Sequence, residues 1–155
     1  MAPSDPYSYR GIYITSVLSK VAERHLGAPL LNFFAEKHSF GQRQWAYQKR
    51  RSSRDLVTLL MCSWLFAVFN GYCIAAYLSD IAGAFDRVFT PFLLYKLQQM
   101  GINEDYIGFL KDFLSERIGY VCLDGVQSLP MQLANMVFQG TVLGPPLWNT
   151  YFADV

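Results

Sequence analysis

Charge is scarce in this sequence of 155 residues. Only 16% of the residues are Asp, Glu, Lys or Arg, and the formal net charge is +1. So small a net charge gives no global field that would draw nucleic acid or another polyanion to the whole molecule. From Leu56 to Ser79 there is no charged residue at all. Any electrostatic recognition therefore has to come from a local cluster.

Paired cysteines and a leader segment are also lacking. The three cysteines, Cys62, Cys73 and Cys122, are far apart and form no Cys-x-x-Cys pair. This spacing argues against a disulfide framework or a zinc site and predicts buried, reduced thiols. Residues 1–6 have no basic region followed by an apolar core, so we expect no secretory signal and an intracellular location. We expect residues 1–8 to form a Pro-rich extended arm and residues 9–155 a single domain.

Several local signals predict helices and a hairpin. Apolar residues recur at helical spacing over 12–34, with Ser16 or Thr15 as the cap and an interruption at Gly27-Ala28-Pro29. Thr90-Pro91 begins another helix that Gly101 stops, and a further helix starts at Asn103 or Glu104. Asp124-Gly125, between two short apolar runs, predicts a β-hairpin turn.

The uncharged run has two competing interpretations. In the first, a buried helix from about Ser53 to Phe69 ends at an Asn70-Gly71 turn, and residues 73–78 form a buried strand. In the second, residues 56–78 form one membrane-spanning helix, with the basic residues of 49–54 on its cytoplasmic side. The Asn-Gly pair favours the turn, and the absence of charge favours the membrane.

Two stretches carry candidate chemistry. Asp80 follows the predicted strand, a position where a carboxylate and a nearby carbonyl could hold Mg²⁺. Residues 39–54 interleave aromatic and basic side chains, a composition suited to phosphate contact and base stacking, although a solvated loop has the same composition. The basic residues of this stretch taken as nucleic-acid-binding candidates are Arg43, Lys49, Arg50, Arg51 and Arg54.

In their order, these pieces resemble the reverse-transcriptase domain of non-LTR (LINE-type) retrotransposons. The segments that carry the resemblance are two fingers blocks, within residues 9–24 and 44–55, and two palm motifs, within 79–86 and 138–145. Ser79-Asp80-Ile81-Ala82-Gly83-Ala84-Phe85-Asp86 is similar to palm motif A, and Phe138-Gln139-Gly140-Thr141-Val142-Leu143-Gly144-Pro145 to motif B. The implied fold is α+β, a partial fingers and palm that is mostly helical with a few strands; the alternative is a mainly α fold with a membrane helix at 56–78.

The resemblance also implies roles for individual residues. Asp80 would be the catalytic metal ligand, and Phe85 the gate beneath the nucleotide sugar. Gln139 and Gly140 would pack against the template and the incoming nucleotide. Phosphate contacts from the fingers would come from Arg10, Lys49, Arg50 and Arg51. Intact members of the family would use Mg²⁺ in two-metal phosphoryl transfer.

One family motif is not found. The aromatic-Ala-Asp-Asp hairpin that completes the metal site is absent, and Phe152-Ala153-Asp154-Val155 belongs to the helix after motif B. We therefore expect a truncated chain with an incomplete site, no bound cofactor and no polymerase activity of its own. The first hypothesis for its function is a structural or interaction subunit of a larger protein assembly, with a membrane contact through 56–78 as an option. The alternatives are a fragment of an active RNA-directed DNA polymerase and a remnant that binds RNA or DNA weakly.

Overall fold

The computed structural model describes residues 12–153, which form five helices and four short strands. The helices are α1 (Val17–Glu36), α2 (Ser53–Phe69), α3 (Thr90–Gln99), α4 (Glu104–Phe113) and α5 (Gly144–Phe152), with a short 3-10 helix at Ala84–Arg87. The strands are β1 (Arg117–Gly119), β2 (Cys122–Leu123), β3 (Val126–Gln127) and β4 (Met131–Leu133). This mixture agrees with the α+β class. The predicted arm over residues 1–8 and the candidate Arg10 lie outside the described residues.

Helix α1 begins after Ser16, as predicted, but the predicted interruption is wrong. The helix continues through Pro29 to Glu36. A proline inside a helix removes one backbone hydrogen bond, yet Leu30 and Phe34, just beyond it, are buried in the core. Burial of these two side chains offsets the missing bond and explains why the helix continues.

Helix α2 has the predicted bounds but not the predicted burial. Its Ser52 cap accepts a hydrogen bond from the backbone N–H of Asp55 at 3.1 Å, and Gly71, at φ +81°, turns the chain after Asn70. The membrane alternative is wrong, because a continuous helix over 56–78 does not form. Among residues 12–153, the helices are all too short or too polar to cross a bilayer. However, none of the 17 residues of α2 is buried.

The predicted strand at 73–78 is also wrong. Residues 72–80 form no helix or strand, and Tyr77 and Leu78 are 93% and 87% exposed. A strand requires a neighbour to pair with its backbone N–H and C=O groups. Within residues 12–153 the only paired strands are those of the hairpin region, so the apolar pattern of 73–78 has no partner there.

The predicted hairpin is confirmed and is part of a longer antiparallel segment, residues 117–133, that contains β1 to β4. Strands β2 and β3 pair antiparallel around Asp124-Gly125, both at positive φ, and β1 pairs with β4 further from the turn. Most residues of this segment, including Cys122, are exposed. Cys62 and Cys73 are exposed as well, so the prediction of buried thiols is wrong.

The core lies where α3 meets α4 and α5, with α1 packed against them. Its buried side chains are apolar and come from these four helices and the segments next to them: Leu30, Phe34, Val88, Leu93, Leu97, Ile107, Leu110, Phe113, Leu114, Val137, Leu143 and Leu147. Helix α3 begins at Thr90-Pro91 and ends before Gly101, and α4 is capped by Asn103, as predicted. Helix α2 contributes nothing to this core.

Two leucine substitutions test whether α2 lies outside the hydrophobic core. Leu97 is 0% exposed and Leu65 is 65% exposed, although both lie on helices. Leu97→Ala should lower the free energy of unfolding by about 2–5 kcal/mol, because it leaves a cavity in the core. Leu65→Ala should change it by no more than about 0.5 kcal/mol. Denaturant titration followed by circular dichroism measures both; an equal loss for the two variants would mean that α2 is packed in the folded chain.

Candidate functional site

Asp80 lies at the rim of an open hollow of about 300 Å³. The lining combines the polar Ser79 and Asp80 with apolar side chains, Ile81, Ala84, Trp148 and Phe152. Asp80 itself is exposed. Asp80 follows a segment, residues 72–79, that has neither helix nor strand, rather than the strand predicted from the sequence. The hollow nevertheless joins the motif A segment to α5, which follows motif B.

Phe85 is the residue through which the two motifs make contact. It lies in the short 3-10 helix and is half-buried, with its ring stacked on that of Trp148 at 5.6 Å between centroids. Its carbonyl accepts a hydrogen bond of 2.8 Å from the backbone N–H of Val137. The ring of Tyr47 also approaches that of Phe85, edge to face at 6.4 Å. One residue thus touches the 39–52 loop, the motif B segment and the helix that follows it.

The motif B segment forms a tight turn before α5. Thr141 Oγ1 donates to the carbonyl of Phe138 at 2.7 Å and accepts from the N–H of Gly144 at 3.1 Å. A Cβ on Gly144 would lie 2.8 Å from Thr141 Oγ1, so only glycine fits. Gln139 is half-buried and Gly140 exposed on the outside of this turn. The turn, residues 137–144, therefore presents the two predicted nucleotide-contacting residues at its surface.

Helix α1 supports that turn through a residue that the sequence analysis did not single out. Glu23 is 2% exposed, and its carboxylate accepts from the N–H of Val142 at 2.7 Å. The buried residues of α1 are Glu23, Gly27, Leu30 and Phe34, which share one helical face. Most of the apolar positions expected on the buried side are exposed: Val17, Leu18, Val21, Leu26 and Leu31. The i, i+4, i+7, i+11 spacing of the four buried residues is typical of one helical face. The sequence did not reveal this face as buried, because two of its four residues are a glutamate and a glycine rather than large apolar residues.

The loop of residues 39–52 is attached to α5 by hydrogen bonds. Asn149, 4% exposed, accepts from Gln44 Nε2 at 3.0 Å and donates to the carbonyl of Ala46 at 3.0 Å. Arg51 donates to the carbonyls of Gln42 and Gln44, and its guanidinium lies 5.3 Å from the centre of the Trp45 ring. Arg51 is thus tied into the loop. The other four basic candidates, Arg43, Lys49, Arg50 and Arg54, are exposed.

A second carboxylate of motif A has a partner of its own. Asp86 Oδ1 accepts from the hydroxyl of Tyr13 at 3.1 Å. Burial raises the pKa of Tyr13, and the charge of Asp86 and this hydrogen bond raise it further. A raised pKa means that the folded chain holds the phenol proton more tightly than the unfolded chain does. The environment of Tyr13, its burial first and then Asp86, therefore makes folding more favourable below pH 10.0, and this stability is lost as the pH rises through the folded pKa.

The donors for a metal centre are incomplete in the described part of the chain. Within residues 12–153 no three His, Cys, Asp or Glu side chains come together in a way that could hold a metal ion. The hollow is lined by a single carboxylate, that of Asp80. Two closely spaced dications need several anionic ligands to offset their repulsion. The side chains of residues 12–153 thus do not fit a two-metal site.

Comparisons with known proteins identify several relatives. The chain is 32% identical over 154 residues to the RNA-directed DNA polymerase from mobile element jockey of Drosophila melanogaster, covering 99% of the chain and 17% of that protein. It is 32% identical over 151 residues to the probable RNA-directed DNA polymerase from transposon BS, and 30% over 152 residues to that from transposon X-element, both of Drosophila melanogaster. These matches cover 97% of the chain and 16% of each relative, so the chain spans about one sixth of their length. No family model and no solved structure matches it.

The tight packing of the motif B turn generates a prediction with a matched control. Gly144→Ala should lower the free energy of unfolding by about 1–3 kcal/mol, because its Cβ would be 3.0 Å from the Phe138 carbonyl and closer still to Thr141. Gly108→Ala, on the exposed side of α4 with no heavy atom within 4 Å of the new Cβ, should raise it by about 0.5–1 kcal/mol. Thermal or denaturant unfolding of both variants gives the comparison. Destabilisation by Gly108→Ala, or none by Gly144→Ala, would contradict the packing described here.

Proposed function

Since the chain belongs to the reverse-transcriptase domains of non-LTR retrotransposons, we propose that it is part of an RNA-directed DNA polymerase. In this proposal it forms the surface that receives the template and the incoming nucleotide. The polymerase names of the relatives support this choice over a structural subunit. Activity would belong to an assembly that supplies what residues 12–153 lack.

The observation that carries the proposal is the contact between the two palm motifs at Phe85. Its carbonyl is bonded to Val137, at the start of the motif B turn, and its ring is stacked on Trp148. Two segments more than 50 residues apart are thereby fixed against each other at the point where the family places the nucleotide sugar. We assign Phe85 to the sugar contact, and Gln139 and Gly140 to the template and base.

The basic candidates fit a supporting role in this proposal. Arg43, Lys49, Arg50 and Arg54 are exposed on or next to the loop that brings Tyr47 to Phe85. Each phosphate contact that they make would add a salt-sensitive increment to nucleic-acid binding. With four such side chains and a net charge of +1, binding by the chain alone should be weak and independent of sequence.

Mg²⁺, which the family implies, needs ligands besides Asp80. The exposed Asp80 could supply one carboxylate to such a centre, and the other anions must come from protein beyond residues 12–153. The part of the chain described here would then contribute positioning of nucleotide and template, which is a large share of catalysis in phosphoryl transfer.

A chimera tests the polymerase role. The chain would replace the matching 154 residues of the jockey polymerase, and RNA-templated incorporation of labelled deoxynucleotides would be measured. We expect activity from the chimera and none from the chain alone. Asp80→Ala in the chimera should lower the rate by about 100-fold or more, because it removes one of the carboxylates that would hold Mg²⁺, and the positive charge of Mg²⁺ would stabilise the reacting phosphate.

The control is Asp124→Ala, which removes an exposed carboxylate from the hairpin turn and should leave the rate unchanged. A chimera that folds but is inactive would argue against a polymerase role for this chain. Equal loss in the two variants would show that Asp80 has no special part in the reaction.

The exposed helix α2 favours a second candidate function, contact with another protein of a larger assembly. Its 17 residues include large apolar side chains with no buried face, among them Trp64, Leu65 and Phe66, and Phe69 is 90% exposed. An apolar surface of this kind on a folded protein marks an interaction site or a site of aggregation. This role is compatible with the polymerase proposal, because the same helix could contact other parts of that enzyme.

Sedimentation of two lysine variants distinguishes a specific contact through α2 from nonspecific aggregation. We expect the wild-type chain to self-associate in a concentration-dependent way, and Phe66→Lys on α2 to reduce this strongly. Ile118→Lys is the matched control, because Ile118 on β1 is 67% exposed and Phe66 72%. An equal effect of the two substitutions, or none from Phe66→Lys, would argue against a contact surface on α2.

A further inference from the structure

The buried carboxylate of Glu23 holds a backbone amide that belongs to a distant segment. One oxygen accepts from the N–H of Val142 at 2.7 Å, and the other accepts from the hydroxyl of Ser19, one helical turn earlier, at 3.3 Å. Glu23 and Val142 are separated by 119 positions in the chain. A carboxylate is expensive to bury unless its oxygens are hydrogen-bonded. Here both oxygens have partners, and one of those partners is the motif B turn.

The rest of the buried face of α1 is shaped to the same turn. Gly27 lies one helical turn after Glu23 on this face, and Leu30 continues the face into the core. A Cβ on Gly27 would be 2.7 Å from Leu143 Cδ2, so the missing side chain makes room for Leu143. The helix thus offers a hydrogen-bond acceptor to Val142 and a recess to Leu143.

The amides on either side of this bond have acceptors within the turn, whereas the amide of Val142 bonds to Glu23. The N–H of Thr141 bonds to the carbonyl of Phe138, and the N–H of Gly144 to the side chain of Thr141. Val142 lies just before Leu143, the N-cap of α5, where backbone N–H groups have no helical acceptor. A carboxylate near this end also interacts favourably with the positive end of the helix dipole.

We propose that Glu23 is a positioning residue: by holding the amide of Val142, it fixes the 137–144 turn in the conformation that presents Gln139 and Gly140. The inference rests on the proposed function for its catalytic meaning, because it assumes that these two residues contact template and nucleotide. Glu23 itself touches neither. It acts through the turn, and a change at this position on the fingers helix would alter nucleotide binding at the palm.

Amide hydrogen exchange by NMR on the 155-residue chain tests the first step. In Glu23→Ala the amide of Val142 should exchange about tenfold faster or more, since it loses its acceptor. Glu23→Gln keeps a neutral acceptor of the same shape, so exchange should rise only about two- to fourfold. The matched control is Glu36→Ala, which removes an exposed carboxylate from the end of the same helix.

The amide of Leu110 in α4 reports global stability and should be unchanged in Glu23→Gln. If Glu23→Ala does not fold, the exchange rate of the Val142 amide in Glu23→Gln alone tests the inference. If the exchange rate of the Val142 amide does not rise in Glu23→Gln, or if that of the Leu110 amide rises equally, the inference is overturned. Either result would mean that Glu23 has no local effect on the turn.

Nucleotide titration tests the second step. The resonance of the Gly140 amide would be followed while deoxythymidine triphosphate is added to each variant. We expect saturable shifts in the wild type and Glu36→Ala, about tenfold weaker affinity in Glu23→Ala, and recovery of most of the affinity in Glu23→Gln. Wild-type affinity in Glu23→Ala would overturn the positioning role alone. Absence of any shift in the wild type would instead overturn the proposed nucleotide contact, on which that role rests.

Discussion

The motif B turn is the constraint on which the rest of the described structure depends. Val137 at its start is bonded to Phe85, and Val142 within it to Glu23. Leu143 near its end and Leu147 beyond it are completely buried. The 3-10 helix of motif A and helix α1 are bonded to this segment, and Leu143 belongs to the same core cluster as residues of α3 and α4. Because the turn is closed by Thr141 and allows no side chain at Gly144, it has little freedom to adjust. Its neighbours are therefore shaped to it.

What could be predicted from the sequence was local. The bounds of α2 follow from a Ser52 cap bonded to Asp55 and a Gly at positive φ after Asn70. The start of α4 follows from Asn103, whose side chain accepts from the N–H of Asp105 at 2.7 Å. The Asp124-Gly125 turn is equally self-contained. In each case a few adjacent residues satisfy their own backbone groups, so the signal is complete within a short window.

What failed depended on distant partners. Residues 73–78 have the composition of a strand, but a strand exists only when another segment pairs with it. Helix α1 passes through Pro29 because residues far along the chain bury Leu30 and Phe34. Likewise, Glu23 has no local mark of its role, because its partner lies 119 residues away. The same limit applies to the site: the motifs could be recognised, but the contact of Phe85 with Val137 and Trp148 could not.

Packing and metal binding make different physical demands on the segments that resemble palm motifs A and B. The shape of these segments follows from packing and hydrogen bonding: Phe85 stacks on Trp148, Thr141 closes the turn, and Glu23 bonds to it. A pair of dications requires several carboxylates brought close together, and their mutual repulsion opposes folding until the metal binds. Residues 12–153 bring only Asp80 to the hollow and leave it exposed, so the turn is stable without that repulsion. The contact between the two segments is therefore built by packing and hydrogen bonds, whereas a two-metal centre at the hollow would need carboxylates in addition to Asp80.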